Sequence, residues 1–202
     1  MQRRHLFQAL ITSQLVLVAA LALPVWSADH GSPPPAASAN AELATAVALF
    51  RRASDGDATA IAPALHDFTA LHHTRPGDPL TLAYAGAATA MQARTTWLPW
   101  KKIDHAEDGL AMLDKALALL GPAHDHALER GVPLALETKL TAAGTFLALP
   151  SMFNRGERGR RLLEEVQKDP GYTATPAGFQ EVVRQLAAMI PTFTPTRENL
   201  KL

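Results

Sequence analysis

No cysteine occurs in this chain, and the absence removes several classes of chemistry at once. A disulfide scaffold, a thiolate zinc site, an iron–sulfur cluster and a thiol nucleophile all require it. An excess of charge of one sign is also missing. Nineteen Lys and Arg balance nineteen Asp and Glu over 202 residues, so nothing draws the chain to a nucleic-acid polyanion. Aromatic residues are scarce, at 6%, which makes the placing of each one informative. A long apolar run is lacking too, because about 20 continuous apolar residues are needed to span a bilayer. Leu15 to Leu23 falls short, and Gln8, Thr12, Ser13 and Gln14 break the stretch before it. What is present, 48% hydrophobic and 19% charged residues, is the composition of one globular domain with a substantial core.

The first 27 residues have the layout of a secretory signal peptide. Arg3 and Arg4 form a positive start, Leu15 to Leu23 an apolar centre, and Pro24 ends it. Val25 and Ser27 then stand at the −3 and −1 positions of a cut before Ala28. An uncleaved anchor is the alternative, and the shortness of the run argues against it. Arg3-Arg4-His5-Leu6-Phe7 also resembles a twin-arginine export signal, although the general secretory route fits the segment better. Either route sends the chain out of the cytoplasm, to a periplasm or otherwise exported. Residues 28–40 include three consecutive prolines among small polar residues and read as a Pro/Ala/Ser-rich linker. Pro33 to Pro35 as a polyproline ligand is the lesser reading.

From 41 to 190 helical spacing recurs and strand alternation does not. Asn40 is a candidate cap for a helix carrying Leu43, Val47 and Phe50, and Asp55-Gly56 ends it. Asp57 can cap a second, with Ile61, Leu65, Phe68 and Leu71 inward. Asp78-Pro79 is a strong start signal, a capping carboxylate followed by proline at the first helical position. The helix it opens holds Ala83, Ala85, Gly86, Ala87, Ala88 and Ala90, small enough for neighbouring backbones to crowd it. After a break at Trp97-Leu98-Pro99-Trp100 comes the most regular helix, with Ile103, Ala106, Leu110, Leu113, Leu117 and Leu120. Further helices carry Leu136, Leu140, Ala143 and Leu147, then Leu162, Leu163 and Val166. The last, about Pro176 to Ile190, carries Phe179, Val182, Val183, Leu186 and Ile190, and 191–202 is expected to be an extended tail.

The punctuation repeats. Helices stop at Pro76, Pro122 and Pro170, 46 and 48 residues apart. Pro79 and Pro133 open the same Pro-Leu-x-Leu pattern 54 apart, and Leu98-Pro99 and Leu149-Pro150 break the chain 51 apart. A repeated helix–turn–helix unit accounts for all three offsets. The expected fold is all-α, with antiparallel helical hairpins stacked as a short right-handed solenoid.

Pro79 to Ala88 resembles the first helix of a tetratricopeptide repeat, and Leu113 to Pro122 the second, in a unit longer than the usual 34 residues. A closer resemblance is to a poorly characterised group of exported bacterial proteins of this tetratricopeptide-like (TPR-like) class. It rests on Pro99, Trp100 and Lys102; Gly109-Leu110; Leu113-Asp114-Lys115-Ala116; and Leu149, Pro150, Phe153 and Arg155. The resemblance covers roughly Pro79 to Lys168. It implies a protein-interaction or assembly role and brings no catalytic residues.

The chemistry-bearing residues form no catalytic pattern. No nucleophile elbow surrounds Ser151, and no phosphate-cradling motif surrounds Gly156 and Gly159. Glu164 and Glu165 are expected to answer Arg160 and Arg161 on a solvated face. His66, His72 and His73, with His124-Asp125-His126, are a weak metal pattern or solvated side chains near helix ends. The best candidates are the two breaks: Trp97, Trp100, Lys101 and Lys102 at one, Met152, Phe153 and Arg155 at the other. As equivalent positions of adjacent hairpins they are expected side by side, and aromatics beside Arg and Lys are what interface centres favour. The competing expectation is that Trp97, Trp100 and Phe153 plug the core. Arg155, Arg158, Arg160 and Arg161 are a charged face or an acidic-partner patch. The sequence thus points to an exported, non-enzymatic module with a protein or peptide partner, no cofactor, no nucleic acid and no membrane span after signal cleavage. A periplasmic small-ligand or metal-binding accessory protein using the histidines is the alternative.

Overall fold

The computed structural model describes residues 35–190. The expected signal peptide, residues 28–34 of the linker and the tail from 191 lie outside them. The described residues are mostly helical, as expected for the all-α class. Eight helices run α1 (Pro35–Ser54), α2 (Ile61–Thr74), α3 (Pro79–Met91), α4 (Pro99–Ala118), α5 (Pro122–His126), α6 (Leu134–Ala148), α7 (Gly156–Lys168) and α8 (Ala177–Met189). α1 thus starts five residues before Asn40, which is not its cap, and takes in the end of the expected linker. A two-residue antiparallel ribbon, β1 (Leu128–Glu129) with β2 (Val132–Pro133), separates α5 from α6. Strand alternation gave no warning of it, since two residues are too few to show a period.

The predicted boundaries rest on local chemistry. Asp78 caps α3, its carboxylate accepting from the N–H of Leu80 at 2.8 Å and of Thr81 at 3.4 Å, with Pro79 next. Asp57 accepts from Thr59 N–H at 3.0 Å and opens the short 3₁₀ turn that leads into α2. Pro99 starts α4 in the same way as Pro79 starts α3.

Helices α1 with α2, α3 with α4, and α6 with α7 pack as successive pairs, and α3 touches α1, α2, α4 and α6. Eleven of the thirteen residues of α3 are buried, so it is the crowded centre its small residues predicted. One side of α3 joins Leu80, Tyr84 and Ala85 to Leu43, Val47 and Phe68 of the first pair. Another joins Leu82 and Ala83 to Leu110, Leu113, Leu136 and Phe146. Within the first core Tyr84 stacks on Phe68, centroids 4.5 Å apart, while Phe50 meets both edge-on. At the far end α8 buries Val183 but leaves Val182 43% exposed, so its apolar stripe is narrower than its sequence suggested.

The α3–α4 crossing is a backbone contact. A Cβ on Gly109 would stand 2.5 Å from the carbonyl oxygen of Gly86 and 2.8 Å from Ala90 Cβ. A Cβ on Gly86 would stand 2.8 Å from Met112 Cβ. The α6–α7 pair repeats the device, since a Cβ on Gly159 would stand 2.9 Å from Leu147 Cγ and 3.2 Å from the Ala143 carbonyl. We expect Gly109→Ala to destabilise by about 1–3 kcal/mol through overpacking, overriding alanine's helix preference of about 1 kcal/mol. Gly178→Ala, with no atom within 4 Å of the new methyl, is the control and should be neutral or slightly stabilising. Urea unfolding midpoints measure both, and a more stable Gly109→Ala protein would contradict the close crossing.

Candidate functional site

The α3–α4 connection sends its apolar side chains outward. Ten residues separate Pro99 from the Gly109 crossing, about 15 Å of helix, against five residues between Gly86 and Met91. The short 3₁₀ turn Gln92–Arg94 extends α3 alongside α4, and the chain reverses at 95–98 before α4 begins. Trp97 is 83% exposed, Trp100 58% and Ile103 38%, so the tryptophans do not plug the core. Lys101 and Lys102 are exposed beside them, and Ile103 lies off the buried stripe on which its spacing had placed it. The connection is held from behind by Arg94, which donates to the Ala53 carbonyl at the end of α1 at 3.0 Å. Among the described residues neither Lys101 nor Lys102 has an ion-pair partner.

The second break is built differently. Phe153 is half-buried against the larger core, while Met152 is 70% exposed. Arg155 lays its guanidinium on Asp114 of α4 as a fork, Nη2 to Oδ2 at 2.9 Å and Nη1 to Oδ1 at 3.2 Å. Arg158 shares the same carboxylate, and both guanidinium groups sit over the Phe146 ring, at 5.5 and 5.3 Å from its centroid. Arg155 is thereby a clamp between α4 and the α6–α7 pair. It is also far from the first break. Asp114 lies fourteen residues beyond Trp100 on one helix, about 21 Å of rise. The expected single edge of Trp97, Trp100, Lys101, Lys102, Met152, Phe153 and Arg155 is therefore two separate places. Of the remaining two arginines Arg160 pairs with Glu157 at 3.0 Å and Arg161 has no ion-pair partner among the described residues, while Glu164 and Glu165 pair with Lys168 and Lys139. A shallow groove of about 330 Å³ between α4, α6 and α7, floored by Leu117, Leu120 and Leu162, is rimmed by Lys139, Glu165, Arg158 and Arg161.

A polar site that spacing did not reveal ties three elements together. Tyr84 of α3 donates its hydroxyl to Glu137 Oε1 of α6 at 2.5 Å. Arg130, at the turn between β1 and β2, reaches the same oxygen. The turn is a two-residue one, with φ of 52° at Arg130 and 78° at Gly131, the left-handed pair that closes a short antiparallel ribbon. Arginine gains nothing from that conformation locally, and its reach to a buried carboxylate offsets the strain. Glu137 is 5% exposed and its second oxygen has no hydrogen-bond partner. Burial pushes its carboxyl above the usual range, and the Arg130 charge and the Tyr84 hydrogen bond pull it only part of the way back. Burial, with Glu137 beside it, likewise pushes the Tyr84 hydroxyl up. The one sequence signal was a carboxylate flanked by Leu136 and Leu140 on the inward face of a helix.

Three histidines make ordinary local contacts. His66 Nδ1 meets Asp67 at 3.1 Å, His72 Nδ1 meets the Thr81 hydroxyl at 3.2 Å, and His124 Nδ1 accepts from Gly121 N–H at 2.9 Å. Among the described residues no three His, Asp or Glu side chains converge as a metal site would require, and no helix is long and apolar enough to cross a membrane. No protein-family model, no curated protein and no solved structure matches this chain.

Two substitutions test the buried carboxylate. Tyr84→Phe should cost about 1.5–3 kcal/mol, the worth of a hydrogen bond to a charged group. Because the folded-state pKa of Glu137 is raised, its stabilising contribution is complete below the unfolded value of about 4.3 and is lost as pH rises through the folded one. Glu137→Gln cannot ionise, so its stability should gain on the wild type as pH is raised from about 4 to about 8. A pH-independent difference between the two unfolding curves would show that burial does not shift this group.

Proposed function

We propose that this chain is an exported, non-enzymatic interaction module whose helical hairpins stack as a short right-handed, tetratricopeptide-like solenoid. It binds a protein or peptide partner in an envelope assembly or transport process. The observation that carries the reading is the exposure of Trp97 and Trp100 beside Lys101 and Lys102, which have no ion-pair partner among the described residues, on a closely packed hairpin. Large aromatics left in water gain most from a partner that covers them, and tryptophan is the side chain interface centres favour most. The layout of the first 27 residues supports export.

Recognition in this reading uses the end of a hairpin. The burial of α3 on its several sides leaves no open furrow along it for a peptide. Trp97 and Trp100 are the anchors, and Lys101 and Lys102 answer acidic groups of the partner. Met152 is a separate apolar contact. Phe153 and Arg155 hold the scaffold, so loss of Arg155 should lower stability and spare binding.

A photo-cross-linking side chain in place of Trp97, with an exposed apolar control position at Leu128, tests this in the native envelope. The expected result is a discrete protein adduct from position 97 alone, lost when Trp100→Ala is added at unchanged thermal stability. Equal labelling from both positions, or none from either, would refute the docking surface.

A further inference from the structure

The groove between α4, α6 and α7 is separate from the surface at Trp97 and Trp100. Leu117 lies seventeen residues beyond Trp100 on α4, about 25 Å of helical rise. The floor is apolar. Leu162 is buried, and Leu117 and Leu120 are half-buried where α4 ends and the chain turns away into α5. The charges on the rim do not cancel. Glu165 is taken by Lys139 at 3.0 Å. Arg158 shares the one Asp114 carboxylate with Arg155, so one of these two guanidinium charges has no counterpart. Arg161 is exposed and has no ion-pair partner among the described residues, since its neighbours Glu157 and Glu164 are held by Arg160 and Lys168. Two surplus positive charges therefore stand about one turn apart on α7, beside three leucines.

We infer that this groove is a second binding site, independent of the tryptophans, and that it takes a short acidic peptide segment of a partner protein. One apolar side chain of the segment sits on Leu117, Leu120 and Leu162, and its flanking carboxylates meet Arg161 and Arg158. The surplus charge selects the sign and register of the segment more than it adds affinity, because exposed pairs contribute little. Shape favours a peptide over a small molecule. Small-ligand sites enclose most of their ligand, whereas this groove is shallow and suits one side chain of a larger body that stays in water. The groove also limits the acidic stretch. Its continuation along α7 is lined by Glu164, Glu165 and Asp169, which repel a longer run of carboxylates.

A nuclear magnetic resonance titration of the isotope-labelled full chain tests the site. The probe is the peptide acetyl-Glu-Glu-Leu-Glu-Glu-amide. Its controls carry serine in place of leucine, or lysine in place of every glutamate. The expected result is a saturable shift of the Leu117, Leu120 and Leu162 methyls and of Arg161 with the acidic leucine peptide alone. Arg161→Glu should weaken that binding at least about tenfold at unchanged thermal stability, and Arg161→Lys should keep most of it. Equal binding of the serine peptide overturns the apolar floor, and equal binding of the lysine peptide overturns the charge selection. Either result refutes the inference, as does the absence of a saturable shift. Shifts at Trp97 and Trp100 instead move the peptide to the hairpin end, so the docking reading stands and the groove is wrong. Leucine methyls that shift when the free protein is diluted give the groove to a second copy. Nuclear Overhauser contacts from residues 191–202 to Leu120 give it to this chain itself, and both results overturn the partner peptide.

Discussion

Gly86 and Gly109 bring the backbones of α3 and α4 into direct contact, and the positions of the other helices follow from that approach. With no side chain between them, the two helices cross at a distance that only small residues allow. α3 can then sit deep enough for its remaining faces to meet α1, α2 and α6. Its alanines and leucines give up almost all of their exposure, and its one large ring, Tyr84, fills the space towards Phe50 and Phe68. At the other end of the pair, where the chain passes from α3 to α4, Trp97 and Trp100 stay exposed among the described residues.

Polar ties lock the arrangement where apolar packing alone would let helices slide. Asp114 receives Arg155 and Arg158, which fixes the α6–α7 pair against α4. Glu137 receives Tyr84 and Arg130, which fixes α6 and its preceding ribbon against α3. The first tie is about a third exposed and contributes on the order of 1 kcal/mol or less per pair. The second is buried, so removing one partner costs more than the pair itself is worth. Both join residues far apart in the chain, 53 residues for Tyr84 with Glu137 and 41 for Arg155 with Asp114.

Local chemistry was legible in the sequence. Asp78-Pro79, Asp57 and Pro99 mark helix starts because capping depends on neighbours one to three residues away. The small residues of α3 announced a crowded helix for a similar reason. Long-range pairing was not legible. Nothing near Arg155 in the chain reveals that Asp114 takes its charge, and nothing near Tyr84 points to Glu137. The aromatic break at Trp97 to Trp100 was recognised as a candidate surface, yet its separation from Arg155 depends on how α6 lies across α4, which spacing does not encode. The ribbon at 128–133 escaped because each strand is shorter than one period of alternation.

Native-state hydrogen exchange, read residue by residue, tests the central role of α3 most directly. If α3 is the hub, the amides of Ala85 to Ala88 exchange only through global unfolding, with the largest protection in the chain. The amides of α8, which buries Val183 alone, open earlier at a smaller free energy. Exchange of the α3 amides as fast as those of α8 would contradict the account.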